Sequence, residues 1–569
     1  PRRRLGPRRR GMAPDFDAAA LAVMALMGVV MLLCASKLVW LQVVDANSLR
    51  SAAAARRQNV VVVQAKRGTI YDRNGNVLAM SQDCKTIYCN PREVNDPNGA
   101  AAIMADVLGG DASSYVDSLT GNSTFSYIRR QVNTNDAASI KDRLKERGVK
   151  GVYYLDDTKR VYPYGNVGGQ VLGIVGTDGD GLSGLELYYN DILKGTNGEV
   201  IFETGSGGTP IAGASTTTTE AQNGTDIVIS LDIGIQEVAE KTIRQGVDDY
   251  DADSGSVMVS DPATGEILAA CSTPLFDITD TSVIEEGALN LKPVSSSFEP
   301  GSIFKILTEA IGLESGSVRD DDVFSVPASV EVGDDTVRDD DSRDYTMDMD
   351  LREILRRSSN VGIATVAQTR IGADAFAQGV SGFQIGQKTG IDYPGEVDGL
   401  VKSRVEYDGA SLGSMSFGQS LAIPLVQMVQ AIGSIANDGS LITPHFLVSK
   451  GGQRVDWPSK GASVSKETCD RVTDYMRTVV EEGTARRAQV AGYDIAGKTG
   501  TGEQAGESGS YVAYSYVSSL IGFAPADDPE VLVYVGLNGT PYLATSSAAP
   551  LFSTIMGEAL SDMGVQPSS

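Results

Sequence analysis

At 569 residues the chain is too long for one compact core, so two or more domains are expected. With 41% hydrophobic and 21% charged residues it reads as globular rather than disordered, and a formal net charge of −25 argues against a nucleic-acid partner, which needs a basic footprint. A single histidine, His445, and five cysteines without C-x-x-C spacing leave little for a Ser-His-Asp triad, a metal centre or a disulfide framework, so serine chemistry here needs another base and no cofactor is expected.

In chain order, the first ten residues carry six arginines, and Ala18 to Ser36 contains no charged residue. The apolar character resumes after Lys37 through Val44, which predicts a transmembrane helix over 18–44 with a cytoplasmic tail at 1–17 and everything later outside. A cleaved signal peptide is the rival reading; the apolar run exceeds a usual h-region and no clear A-x-A site follows it. Residues 45–225 form a mixed, strand-rich module, with a hairpin signal at Asn74-Gly75 and a Gly/Ser/Thr-rich loop or boundary from Gly205 to Thr219. The second large module, 226–564, opens on a strand from Ile227 to Leu231 that leads into a helix. A further hairpin follows in SGSVMVSDPATGEILAACSTP. The acidic stretch Glu331 to Asp350 reads as a solvated loop, since its aspartates lack calcium-loop spacing.

Three short motifs carry the chemistry. In EPGSIFKILTEAIGL a helix starts beside Pro300-Gly301, and Ile303, Ile306, Leu307, Ala310 and Ile311 mark one buried stripe. Ser302 and Lys305, three apart, meet on its flank at the helix N-terminus, placing a hydroxyl beside an amine. Partial burial plus a second cation is expected to depress that amine until it can act as a base. Ser358-Ser359-Asn360 lies where a helix phased by Leu351, Ile354 and Leu355 gives way to the next, and Lys498-Thr499-Gly500-Thr501 lies in a short extended segment followed by a second strand. Each motif alone is weak. Ser463 to Lys466 repeats the S-x-x-K spacing in a polar stretch, and Lys388-Thr389-Gly390 repeats K-T-G in a glycine-broken loop.

Together, in the order S-x-x-K, S-x-N, K-T-G, they resemble the penicillin-binding protein and serine β-lactamase superfamily. The longer runs RGTIYDRNGNVLA, GLSGLELYYNDILKGTNG, FGQSLAIPLVQMVQAIGSIANDGSLITPH and EEGTARRAQVAGYDIAGKTGT extend the resemblance to class B penicillin-binding proteins. It covers essentially Gln42 to the C-terminus and looks most like the division type, with an elongation or sporulation enzyme as runner-up. A carboxypeptidase, β-lactamase or β-lactam sensor is a more distant alternative.

The resemblance implies an α+β multidomain protein: one transmembrane helix, a strand-rich dimerisation or pedestal module, and a transpeptidase domain of D,D-peptidase/β-lactamase type with an antiparallel sheet flanked by helices. It implies a D,D-transpeptidase in which Ser302 is the acylated nucleophile and Lys305 its base. Ser358 and Asn360 would relay protons and hold the substrate amide, and Lys498 would supply the second cation. Thr499, Gly500 and Thr501 would line the substrate site, with the backbone N–H groups of Ser302 and Thr501 as oxyanion hole. The implied partners are peptidoglycan stem peptides, β-lactams as inhibitors, the plasma membrane, a SEDS-family glycosyltransferase and other division proteins. Leu291-Lys292-Pro293 departs from the family's usual residues before the nucleophile.

Overall fold

The structure is a computed structural model that describes residues 16–46, 58–203, 217–341, 343–505 and 511–567. The chain divides into two units, one of residues 1–63 and 197–221 and one of 64–196 and 222–569. In the first, helix α1 (Phe16–Val39) runs on into a π-helical turn, Trp40–Val44. Ala20–Val44 is a 25-residue stretch of mean hydropathy 2.2, none of it buried in protein. At ~1.5 Å per residue it is long enough for a ~30 Å hydrocarbon core, and a helix apolar on every side suits lipid on every side. The same unit holds a small sheet in which Gln58–Val63 pairs antiparallel with Gly198–Glu203, and the latter with Thr217–Thr219. The arginine cluster and residues 205–216 of the glycine-rich stretch lie outside the described residues.

The second unit begins with the expected hairpin. Strands β1 (Ile70–Tyr71) and β2 (Val77–Cys89) pair around a turn in which Gly75 has φ +85° and Asp72 Oδ1 accepts from the backbone N–H of Asn74 and Asn76. The positive φ suits glycine, and the Asp72 side chain closes the turn. Strand β2 continues between β3 (Ser126–Asn133) and β4 (Val152–Val161). Helices α2 (Pro97–Leu108), α3 (Ala112–Thr120) and α4 (Thr134–Glu146) close a separate small core around Ile87, Met104, Leu119 and Ile140. In the other direction β1 pairs in parallel with β5 (Ile227–Ile229), and β5 pairs with Leu447–Lys450. One sheet therefore runs from the pedestal into the catalytic half. Within the pedestal, Arg67 and Arg160 hold Glu186 between them, at 2.5 and 2.6 Å, with both arginine side chains 5% exposed and the Glu186 side chain fully buried.

The catalytic half is built on a five-stranded antiparallel sheet. Its strands are β6 (Ser254–Ser260), β7 (Ile267–Ser272), β8 (Ala496–Ala505), β9 (Tyr511–Ala524) and β10 (Val531–Thr540), in the order β7-β6-β10-β9-β8. Val531 to Leu537 of the central β10 are buried without alternation, which requires cover on both faces. Helices α5 (Ile233–Asp249) and α10 (Ala548–Asp562) supply part of it. The K-T-G segment lies on β8, the sheet's edge strand.

Two expectations are corrected. Helix α6 (Lys305–Glu314) is buried all the way round from Lys305 to Gly312, not along one stripe. It is the central helix of the helical layer, so polar side chains on it are buried too. The acidic stretch is not a solvated loop throughout. Ser329–Val332 and Asp335–Arg338 form a hairpin, Met347–Met349 pairs with Phe324–Val326, and Arg343 is 7% exposed.

Candidate active site

Ser302 sits in a 3₁₀ turn, Gly301–Phe304, immediately ahead of α6, and is 8% exposed. The turn is held from behind by the FGQS run. Gly301, at φ +57°, donates its N–H to Gly418 O at 3.0 Å, and Glu299 accepts from Ser420 N at 2.9 Å. A Cβ on Gly418 would lie 2.2 Å from Gly301 O, so only glycine permits this approach. That scaffold was not singled out from sequence; its signal was the glycine in FGQS.

Lys305 is fully buried, and its amine donates to Ser358 O at 2.5 Å and Ser358 Oγ at 3.2 Å. Helix α7 (Leu351–Arg357) ends at Ser358, which takes a left-handed conformation with φ +60°. Ser359 then caps α8 (Asn360–Val366), accepting from Gly362 N at 2.8 Å, and the half-buried Asn360 opens that helix. From β8 the fully buried Lys498 reaches across to Ser358 Oγ at 2.8 Å, and also donates to Thr499 O at 2.8 Å. Thr499 Oγ1 is 2.6 Å from Thr484 Oγ1, in the EEGTARRA run. Thr501 Oγ1 accepts from Ala544 N at 3.4 Å. A Cβ on Gly500 would lie 2.5 Å from Ser519 Oγ and 3.1 Å from Ile303 Cγ2, so the glycine lets the strand press against the nucleophile turn. A Cβ built on Gly301 would be 3.8 Å from Thr501 O. The two backbone groups of a strand residue project to the same side, so the Thr501 N–H faces that turn as well. Ser302, Lys305, Ser358 and Lys498, from three distant segments, are thus brought to one place.

Burial controls the charges. Desolvation pushes the Lys305 amine down to about 7, against the opposing pull of Asp339, Asp340 and Glu309. Desolvation first, then the Lys305 charge, holds Lys498 well below its ordinary range. The repulsion between the two amines therefore lowers Lys498, whereas burial alone, without the second cation expected from the sequence, depresses Lys305. One turn beyond Lys305, Glu309 is 1% exposed, and neither carboxyl oxygen has a hydrogen-bond partner among the described residues; burial pushes its pKa well up.

Neither decoy motif resembles this. Ser463 Oγ is taken by Ser434 Oγ and Gly439 O, while Lys466 pairs at the surface with Asp438 and Asp470. Thr389 is taken by Glu396.

Residues 255–557 match the penicillin binding protein transpeptidase domain and residues 62–229 the penicillin-binding protein dimerisation domain. Stage V sporulation protein D of Bacillus subtilis is 32% identical over 95% of this chain and 85% of its own length. This chain belongs to the class B penicillin-binding proteins. Another such relative, the peptidoglycan D,D-transpeptidase FtsI of Escherichia coli, is 28% identical over 93% of this chain and 89% of its own. Penicillin-binding protein 2X of Streptococcus thermophilus superposes with a TM-score of 0.74 at 25% identity, covering 88% of this chain and 80% of that one. As a class B penicillin-binding protein the chain is a peptidoglycan D,D-transpeptidase that binds β-lactams, and its N-terminal apolar helix fits a membrane anchor.

Proposed function

We propose that this enzyme cross-links peptidoglycan at the division septum through an acyl-enzyme on Ser302. The observation that carries the chemistry is the convergence on Ser358 Oγ of Lys498 and of Lys305, which follows Ser302 by one helical turn. In this reading the neutral Lys305 amine takes the Ser302 proton as Oγ attacks the carbonyl of the penultimate D-Ala. The N–H groups of Ser302 and Thr501 hold the oxyanion, and Lys498 with Thr499 holds the terminal carboxylate, while Gly500 keeps the strand close and Asn360 holds the donor amide. A proton passed through Ser358 goes to the leaving D-Ala nitrogen, the C–N bond breaks, and an ester remains on Ser302. An amine of a second stem peptide then attacks that ester, and the same groups run in reverse.

Intact-mass analysis of the detergent-solubilised chain with benzylpenicillin tests the nucleophile. One adduct on wild type and none on Ser302→Ala is expected; an adduct on Ser302→Ala, or at Ser463, overturns the assignment.

The septal role, with residues 1–17 in the cytoplasm and the catalytic domain outside, is supported by the arginine cluster and by likeness to a division-type enzyme. The sporulation relative keeps the runner-up in view. Depletion separates them: filamentous cells support the septal reading, and normal division with failed spores supports the other. A class B enzyme cannot polymerise the glycan it cross-links, so a SEDS-family glycosyltransferase is the proposed partner. Ala18, Ala22, Ala25 and Gly28 offer small residues at roughly helical spacing for close helix packing. Exchanging residues 18–44 for an unrelated span should impair division; full activity would reduce the helix to a tether.

A further inference from the structure

Asp339 belongs to the acidic stretch but not to its exposed part: its side chain is 9% exposed and lies behind the S-S-N loop. Oδ1 accepts from Val361 N at 3.0 Å, and Oδ2 accepts from Ser359 Oγ at 2.6 Å. Oδ2 also accepts from Arg343 Nη2 at 3.1 Å. Arg343 is itself fixed, donating from Nη1 to Val326 O and Tyr345 O, both at 2.9 Å. The carboxylate is therefore held in place from outside the loop and grips the loop on both sides of Asn360.

Ser358 precedes this grip. Its φ of +60° is one that a serine holds only where the surroundings impose it. That conformation directs both Ser358 O and Ser358 Oγ to Lys305, and Oγ to Lys498. The N–H of Ser359 is fixed by Ile354 O at 2.9 Å, so the end of α7 sets one side of the loop. On the other side, Ser359 Oγ and Val361 N are set by Asp339. We infer that Asp339 is a positioning residue of the transpeptidase: its carboxylate anchors Ser359 and Val361, thereby fixing Ser358 between the two lysines, and places a negative charge behind Lys305. This deepens the proposed mechanism and rests on Ser302 being the nucleophile.

The charged groups bearing on the two amines are Asp339 and Asp340 from this segment and Glu309 from α6, besides the amines themselves. Of the three carboxylates, Asp339 is the one bonded to the loop. Removing its charge makes protonation of Lys305 harder, so activity extends to lower pH. Removing its bonds frees Ser358, so activity falls at every pH. A merely structural aspartate does neither per folded molecule.

The test is the rate constant of labelling by a fluorescent penicillin from pH 5.5 to 9, using the full chain in detergent and normalising to folded protein. Asp339→Ala should lose roughly tenfold to 100-fold, the scale of a misplaced catalytic group. Asp339→Asn, isosteric and still able to accept from Val361 N, should keep more of the rate and shift its rising limb to lower pH. Asp341→Asn, whose side chain is 40% exposed, should behave as wild type. If both Asp339 variants follow the wild-type profile at every pH, with Ser302→Ala unlabelled, the inference is overturned and the mechanism stands. Label on Ser302→Ala overturns the mechanism itself. Should Asp339→Ala fail to fold, an unshifted limb in Asp339→Asn is enough to sink the inference.

Discussion

Lys305 and Lys498 share a hydrogen-bond partner: both amines reach Ser358 Oγ, at 3.2 and 2.8 Å. A hydroxyl carries one proton and can accept into its lone pairs, so it can take a proton from one amine while giving its own to the other. With both amines fully buried, two full charges this close are disfavoured, and the pair is suited to passing protons.

The first prediction is a pH profile. Burial holds the Lys305 amine at about 7, so the neutral, basic form accumulates as pH rises through that value. Acylation of Ser302 should rise across pH 6–8 with its midpoint near neutrality. Lys305→Ala should lose ~10²–10⁴-fold, as expected for removal of a general base. Stopped-flow acylation measures both; a flat profile, or a variant at wild-type rate, moves the base elsewhere.

Glu309 makes a stability prediction. Its pKa in the folded protein is raised above the unfolded value, so folding holds a proton that the unfolded chain releases above about pH 4.5. Its contribution is at its best below that pH and is lost as pH rises towards the folded pKa. Glu309→Leu should therefore melt higher than wild type, with a gap that widens from pH 5 to pH 8. Removing the unpartnered carboxyl is expected to gain on the order of 1–3 kcal/mol. A variant less stable than wild type at pH 8 would show that the carboxyl has a stabilising partner.

Gly500→Ala tests the contact between the edge strand and the nucleophile turn. Ser519 Oγ can rotate away from the new methyl, but Ile303, beside Ser302, has to shift. Overpacking of this kind costs about 1–3 kcal/mol. The expected signature is a slower acylation by roughly tenfold to 100-fold with the melting temperature lowered only slightly. Unchanged acylation would mean the turn absorbs the methyl without moving.

The Arg67–Glu186–Arg160 cluster concerns the pedestal, not the chemistry. Glu186→Ala leaves two buried guanidinium groups without their shared carboxylate, a loss expected to cost about 3–5 kcal/mol. Thermal melting should show it clearly. Lys466→Ala, which breaks only surface pairs, should melt as wild type does.

Much was legible before folding because it is encoded over short distances. The Asn74-Gly75 turn, the helix after Pro300-Gly301, the helix junction at Ser358-Ser359-Asn360 and the extended K-T-G segment all follow from local backbone preference and apolar period. The class B resemblance then ordered the motifs. The full burial of α6 was not legible, because a helix whose polar residues face inward reads as having an exposed side. Asp339 was hidden for a similar reason: in a run of aspartates, nothing local marks the one that turns inward.

By itself, then, the sequence determined the elements, their order and the residue types available for catalysis. The tertiary structure decided which copies are used. Ser463-x-x-Lys466 and Lys388-Thr389-Gly390 have the right spacing, but the Ser463 and Thr389 side chains are taken by neighbours and the Lys466 amine is paired with surface carboxylates. Ser302 and Lys498 meet the same site only because the 3₁₀ turn that carries Ser302 packs against the edge strand. The depressed lysines were decided there as well: spacing can set an amine beside a hydroxyl, but desolvation depends on every group packed around it, and those groups come from distant parts of the chain.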